Sequence, residues 1–113
     1  MYEYKIKKIK KIIDGDTLDI EIDLGFNLIL SQRIRLAGID APETRTKNLE
    51  EKINGLKSKE WLEKKLTTEK NIFIKTEKDD KYGRMLGWIY IEKDSISINN
   101  QMINEGYANH FKF

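Results

Sequence analysis

Three short strings of this chain carry residue types that could do chemistry together. They are Asp-Gly-Asp-Thr at residues 14–17, an arginine at 35 followed by Asp-Ala-Pro-Glu-Thr at 40–44, and Asp-Lys-Tyr-Gly-Arg at 80–84. Their carboxylates can bind a hard cation through oxygen ligands, and a further carboxylate can act as a base. Arginine suits phosphate because its planar guanidinium donates two parallel hydrogen bonds. This inventory predicts a metal-dependent phosphodiesterase.

The composition removes competing chemistries. The chain has no cysteine, which excludes thiolate catalysis, cysteine zinc sites and disulfides, and its single histidine cannot form a histidine metal site. The formal net charge is only +2, so general attraction to polyanions is a weak argument for nucleic acid. The placement of arginine is more informative, because the chain's arginines all lie near the strings: Arg33, Arg35, Arg45 and Arg84.

Five strands are predicted to position the strings. Residues 4–13 have isoleucines spaced like a helix face, but their β-branched content favours a strand with room for a bulge. A basic amphipathic helix is the alternative for this segment. Residues 18–22 alternate apolar and polar side chains, as a half-buried strand does. The remaining strands are predicted at residues 27–36, 72–76 and 85–91.

Two helices complete the predicted fold. Residues 45–55 are polar without a sustained period and indicate a mobile loop, and a helix is predicted from Leu56 onwards. A second helix is predicted over 98–105, with Asn99 as its N-cap and Gly106 as its stop. We therefore expect an α+β, mainly β, fold: a single domain over residues 1–113, built as a five-stranded OB-type barrel with two short helices.

Each string also has an ordinary structural interpretation. Asp-Gly-Asp and Tyr-Gly-Arg sequences are common in turns, and residues 40–44 could be a charged turn after a strand. Functionally, Asp14 and Asp16 are two apart, so both could face one site, and the only proline, Pro42, would give Asp40 and Glu43 a defined bend. An EF-hand loop starting at residue 14 does not fit, since the sixth position lacks glycine and the twelfth lacks glutamate.

Two arginines of the third strand compete for one role. Arg33 and Arg35 are predicted on the face opposite Ile34 and Leu36, and either could be an ordinary exposed strand residue. Only one of them needs to be functional.

Taken together, the strings resemble the staphylococcal nuclease (thermonuclease-like) family, whose three motifs run in the same order. The resemblance covers about residues 9–108. It implies an OB barrel with helices and a calcium-dependent nuclease of little sequence specificity, which cleaves DNA or RNA and leaves 3′-phosphates.

The resemblance also implies the metal ligands. Asp16 and Asp40 would bind a calcium ion together with the backbone carbonyl of Ala41. Asp14 would orient the turn or a bound water. The family's founding enzyme has threonine where this chain has Ala41, which a backbone ligand tolerates.

The remaining site residues follow from the same comparison of motifs. Arg35 and Arg84 would hold the phosphate, and Glu43 would act on the attacking water, either as its base or by orienting it. Lys81 and Tyr82 would lie near the phosphates of the bound nucleic acid.

Some expectations concern the ends of the chain and its setting. Phe111 and Phe113 could stack on a base, although end packing is the alternative, and the sequence stops without the founding enzyme's further C-terminal helix. No secretory signal or membrane span is recognisable, so we expect a cytoplasmic monomer unless an export signal was removed. The rival functions are a non-catalytic OB-type module that binds nucleic acid or protein, and a small structural protein.

Overall fold

The computed structural model describes residues 2–69, 71–79 and 84–111. The elements follow the chain in this order: β1 Tyr2–Asp14, β2 Thr17–Asp23, β3 Ile29–Leu36, β4 Ile39–Asp40, α1 Leu49–Thr67, β5 Ile72–Asp79, β6 Met85–Ile91, α2 Ile98–Asn104 and β7 Asn109–His110.

Five strands close into a barrel in the order β1-β2-β3-β6-β5. The β3–β6 pair is parallel, whereas the other barrel neighbours are antiparallel. The predicted fold class, a mainly β OB-type barrel of five strands with two helices, is confirmed. None of the helices in the described ranges is long and apolar enough to cross a membrane.

Bulges in strand β1 explain why its isoleucines are spaced like a helix face. Its register against β2 shifts three times, after Ile6, Ile9 and Ile12. Each shift inserts one extra residue into β1, so the inward-facing side chain recurs every three residues instead of every two. Ile6 and Ile12 are buried in the core, and Ile9 packs against it. The prediction of a bulged strand is confirmed, and the amphipathic helix is wrong.

The barrel interior is filled by aliphatic side chains from all five strands. Helix α1 adds Leu62 and Leu66, and α2 adds Ile98 and Met102. Burying a side chain of this size stabilises the fold by about 1.5–3 kcal/mol, so the interior holds the strand ends firmly. The first two polar strings lie where these strands end.

Helix α1 begins seven residues earlier than predicted. Asn48 caps it by accepting a hydrogen bond from the backbone N–H of Glu51 (3.1 Å), and Glu50 and Glu51 complement the helix dipole in the first turn. The predicted loop is therefore wrong from residue 49 onwards. The apolar pattern missed this half because its buried stripe starts with the small residues Gly55 and Ser58 before reaching leucines.

Helix α2 has a different cap from the one predicted. Ser97, not Asn99, accepts a hydrogen bond from an N–H of the first turn. Asn99 is buried, donates to the carbonyls of Ala37 (2.8 Å) and Gly87 (3.0 Å), and accepts from the N–H of Ile89 (3.2 Å). Its amide thus connects α2 to β6 and to the end of β3.

A two-stranded ribbon outside the barrel was not predicted. Strand β7 pairs with β4, so that Asn109 lies opposite Asp40, and the N–H of Phe111 donates to the carbonyl of Gly38 (2.9 Å). Both strands are only two residues long, too short to show a period in sequence. The ribbon joins the C-terminal segment to the stretch that carries Asp40.

Candidate functional site

Asp16 connects the first string to the second. It lies in the turn between β1 and β2, and its carboxylate is almost fully buried. One oxygen accepts a hydrogen bond from the backbone N–H of Ala41 (2.8 Å), and the other accepts from the hydroxyl of Thr17 (3.0 Å). Charge-assisted hydrogen bonds of this kind fix both the position and the orientation of a carboxylate.

Arg35 lies between two carboxylates at the rim of the barrel. Its Nη2 atom is 3.5 Å from Oδ2 of Asp16 and 3.5 Å from Oδ1 of Asp40, and Nη1 donates to the carbonyl of Leu36 (3.0 Å). The Arg35 side chain is only 10% exposed, so its interpretation as an ordinary exposed strand residue is wrong. The two carboxylate oxygens converge on one nitrogen, although they come from different strings.

Arg33 belongs to the outer face of the barrel. Its guanidinium makes two hydrogen bonds to the carboxylate of Asp19 (2.8 and 3.1 Å). These hydrogen bonds lower the pKa of Asp19 and raise the pKa of Arg33 from their ordinary values. Of the two competing arginines, Arg35 is therefore the one that lies with the carboxylates of the strings.

Asp14 contacts a different part of the second string from Asp16. Its Oδ1 atom accepts hydrogen bonds from both the backbone N–H (3.1 Å) and the hydroxyl (2.7 Å) of Thr44. Asp16 holds the segment at Ala41, so the Asp-Gly-Asp turn anchors residues 41–44 at both ends. The exposed Glu43 lies between these anchors.

Gly15 lets the Asp-Gly-Asp turn approach the rest of the site closely. A Cβ atom there would lie 2.8 Å from Cβ of Ser58 and 3.0 Å from Cβ of Ala41. Its backbone φ is not positive, so the need for glycine is steric rather than conformational.

Gly55 allows a similar close approach from helix α1, although it was not among the predicted site residues. A Cβ atom at Gly55 would lie 2.5 Å from the carbonyl oxygen of Glu43 and 2.9 Å from that of Pro42. Glycine inside a helix costs about 1 kcal/mol relative to alanine, so a glycine within a predicted helix indicates a close contact there. This indication is absent when residues 45–55 are interpreted as a loop, where glycine is common.

Asp40 faces solvent on one side of the cluster. Its side chain is 61% exposed, and with Ala41 and Pro42 it lines a groove of about 330 Å³ against the first turns of α1. This volume is in the range of small-ligand sites. Asp40 therefore has lone pairs accessible to a ligand in this groove.

The third string is described only at its last residue. Arg84 is half-buried and directly precedes β6, whose Met85 pairs with Ile34 of β3. Its backbone thus leads into the strand that pairs with Arg35. Residues 80–83 of this string, which include Lys81 and Tyr82, lie outside the described residues, as does Phe113.

Phe111 contacts the guanidinium of Arg35. Its ring centroid is 5.8 Å from the Cζ atom of Arg35, and the residue is 44% exposed. A cation above an aromatic face is attracted to it, so this contact helps to hold the guanidinium in place.

The atoms near Arg35 fit a hard cation in type. In the described ranges no group of three or more Asp, Glu, His or Cys side chains is arranged to hold a metal. The set predicted from the motifs is smaller, namely the carboxylates of Asp16 and Asp40 and the carbonyl of Ala41. These are all oxygen donors, which is the atom type that a hard cation requires, and the two carboxylates lie on either side of one guanidinium nitrogen.

The fold and the site together place this chain in one class of protein: an OB-type barrel with two carboxylates around a buried arginine at its rim. Comparison with known families gives a match over residues 33–113 to the family described as staphylococcal nuclease homologue. The chain belongs to this family.

Individual relatives match over most of the chain. A thermonuclease of Staphylococcus intermedius is 31% identical over 88% of this chain and 56% of its own length. An uncharacterised protein of Methanocaldococcus jannaschii is 32% identical over 95% and 59%, and an uncharacterised endonuclease of Escherichia coli O157:H7 is 31% identical over 89% and 58%. The chain thus spans somewhat more than half the length of these relatives.

Proposed function

We propose that this chain is a calcium-dependent nuclease that hydrolyses phosphodiester bonds of DNA or RNA with little sequence specificity. The observation that carries the proposal is the convergence of the Asp16 and Asp40 carboxylates on the buried guanidinium of Arg35. The names of two relatives, a thermonuclease and an endonuclease, support the same activity. We further propose that residues 1–113 act as a single monomeric domain.

The ion would be held by Asp16, Asp40 and the carbonyl of Ala41. The hydrogen bond from the Ala41 N–H orients Asp16, and the β4–β7 pairing steadies Asp40, so the two carboxylates come to the ion from fixed backbone. Bound calcium supplies Lewis-acid polarisation of a phosphoryl oxygen. Asp14 contributes indirectly, because its hydrogen bonds to Thr44 keep the connecting segment in place.

The protein groups then handle the proton and the charge. Glu43 accepts a proton from the attacking water or orients that water toward phosphorus. Water adds to phosphorus, the bond to the 5′ oxygen breaks, and that oxygen takes up a proton from solvent, which leaves a 3′-phosphate and a 5′-hydroxyl. Arg35 and Arg84 stabilise the negative charge that develops on the phosphoryl oxygens. Lys81 and Tyr82 are proposed to contact neighbouring phosphates.

The test is cleavage of plasmid and of single-stranded DNA by the folded protein, first with calcium and then with EDTA. Calcium-dependent cleavage with 3′-phosphate ends is expected, and Glu43→Gln serves as the inactive control. If a folded sample does not cleave with calcium, the proposal is wrong. Binding of nucleic acid without cleavage, unaffected by calcium, would instead identify a non-catalytic OB-type module.

A further inference from the structure

Strand β1 carries a concentrated positive charge that the proposed site does not use. Five lysines are exposed within seven residues, and we refer to them as the lysine row: Lys5, Lys7, Lys8, Lys10 and Lys11. In the described part of the chain, none of these five ammonium groups takes part in an ion pair. Because the whole chain has a formal net charge of only +2, the row is a local feature and not a reflection of composition.

Acidic residues on the neighbouring strand offset the row only in part. Strand β2 places Asp23, Glu21 and Asp19 opposite three of the lysines, and Asp19 is already paired with Arg33. Lys7 and Lys10 are extra residues of two bulges, so neither has a residue of β2 directly opposite. The five lysines therefore leave a net positive stripe along β1.

The row leads toward the candidate site. Strand β1 ends at Asp14, whose carboxylate binds Thr44 next to Glu43. Lys11 is three residues from that end, and the row extends from it over on the order of 20 Å at the usual strand rise. A polyanion lying along the row would thus reach the site at one end and cover several nucleotides beyond it.

We propose that the lysine row binds the phosphate backbone of single-stranded nucleic acid outside the cleavage site. The inference rests on the proposed function only for the identity of the polyanion. A single strand fits better than a duplex because the bulges of β1 bend this strand and increase its twist, and a flexible nucleic acid can follow that path. Duplex DNA is straight over such lengths, since its persistence length is about 150 base pairs. Binding is electrostatic and independent of base sequence.

The experiment measures binding in EDTA, where the proposed reaction does not proceed. Fluorescence anisotropy of a labelled single-stranded DNA is followed as a function of salt for the wild type, for Lys7→Gln/Lys8→Gln/Lys10→Gln, and for a control. The control removes the same charge from helix α1, at Lys52, Lys59 and Lys64. Circular dichroism checks that both variants are folded, which is expected because none of the substituted side chains is buried.

The salt dependence is the decisive readout. Each lost phosphate contact lowers the slope of log K against log salt by about 0.7 for a single strand, so the β1 variant should lose about 2 in slope and about tenfold or more in affinity at low salt. The α1 control should lose far less. Equal slopes for the two variants, equal loss on duplex DNA, or no binding by the wild type would overturn the proposal.

Failure of the proposed function would appear separately. Cleavage of a dinucleotide phosphodiester with calcium reports on the site alone, because so short a substrate cannot reach the lysine row. If the dinucleotide is not cleaved but the salt dependence of binding is as expected, the nuclease proposal is refuted and the lysine-row proposal stands. If the dinucleotide is cleaved but the β1 variant binds with the same salt dependence as the α1 control, the lysine-row proposal is refuted and the nuclease proposal stands.

Discussion

Replacing Gly55 with alanine tests whether helix α1 positions the segment 41–44, which holds the proposed catalytic residue Glu43. The added Cβ atom would lie 2.5 Å from the carbonyl oxygen of Glu43, whereas ordinary contacts of this kind begin near 3.4 Å. The neighbour is backbone and cannot rotate away, so either the segment 41–44 or the helix must move by roughly 1 Å. A displacement of about 1 Å at a reacting group can cost about a hundredfold in rate.

The free energy of unfolding of Gly55→Ala should fall only modestly. Alanine is favoured over glycine in a helix by about 1 kcal/mol, and overpacking costs about 1–3 kcal/mol. The two effects oppose each other, so we expect a net loss of about 0–2 kcal/mol. Turnover of single-stranded DNA with calcium and thermal unfolding of the same samples give both quantities.

A matched substitution separates stability from positioning. Gly25 has φ +88° and no atom near its Cβ position, so Gly25→Ala strains the β2–β3 turn by about 1–2 kcal/mol without touching the site. It should lower the melting temperature and leave turnover unchanged. If Gly55→Ala retained wild-type turnover, the positioning argument would be refuted.

Further predictions concern individual side chains. Glu43→Gln should lower kcat by about 10²–10⁴-fold with little change in melting temperature, because the residue is exposed; comparable activity would refute its role. Asn99→Ala should destabilise the fold by about 2–4 kcal/mol in urea, because it removes hydrogen bonds to buried carbonyls, and a loss near zero would contradict the contacts. The pKa of Asp19 is lowered by hydrogen bonds from Arg33, so their stabilisation is present at neutral pH and lost as pH falls through that lowered pKa. Arg33→Gln should therefore lower the free energy of unfolding by less than about 1 kcal/mol at pH 7 and leave it unchanged in strong acid. Urea unfolding at both pH values measures this. The same loss at both pH values would contradict a role for the Arg33–Asp19 pair.

The sequence predicts the barrel well where side-chain periodicity reflects burial. Strand β2 alternates because one face is buried, and β1 was assigned correctly once a bulge was allowed. The first half of α1 could not be predicted from apolar spacing, since its buried stripe begins with Gly55 and Ser58 while Leu49 and Ile53 face solvent. The two-residue strands β4 and β7 are too short to carry any pattern.

For the candidate site, the motifs predict which residues matter better than how they are connected. The spacing of Asp14 and Asp16 allows both to face one site, but in the structure they bind opposite ends of the segment 41–44, Asp16 at Ala41 and Asp14 at Thr44. The burial of Arg35 could not be inferred from its strand position, because the side chains that contact it, Asp16 and Asp40, lie outside β3. The close approach between Gly55 and the carbonyls of Pro42 and Glu43 could not be predicted, because no sequence pattern shows which residue of α1 meets that segment.

The most direct test of the proposed site is the calcium dependence of the cleavage rate in the wild type and in Asp40→Asn. Asp40 is largely exposed, so the substitution should leave the fold intact while it removes one charged ligand. We expect the wild-type rate to saturate with calcium and vanish in EDTA, and the half-saturating calcium concentration of the variant to rise by about tenfold or more. A rate that persists in EDTA, or the same calcium dependence in both proteins, would contradict the proposed site.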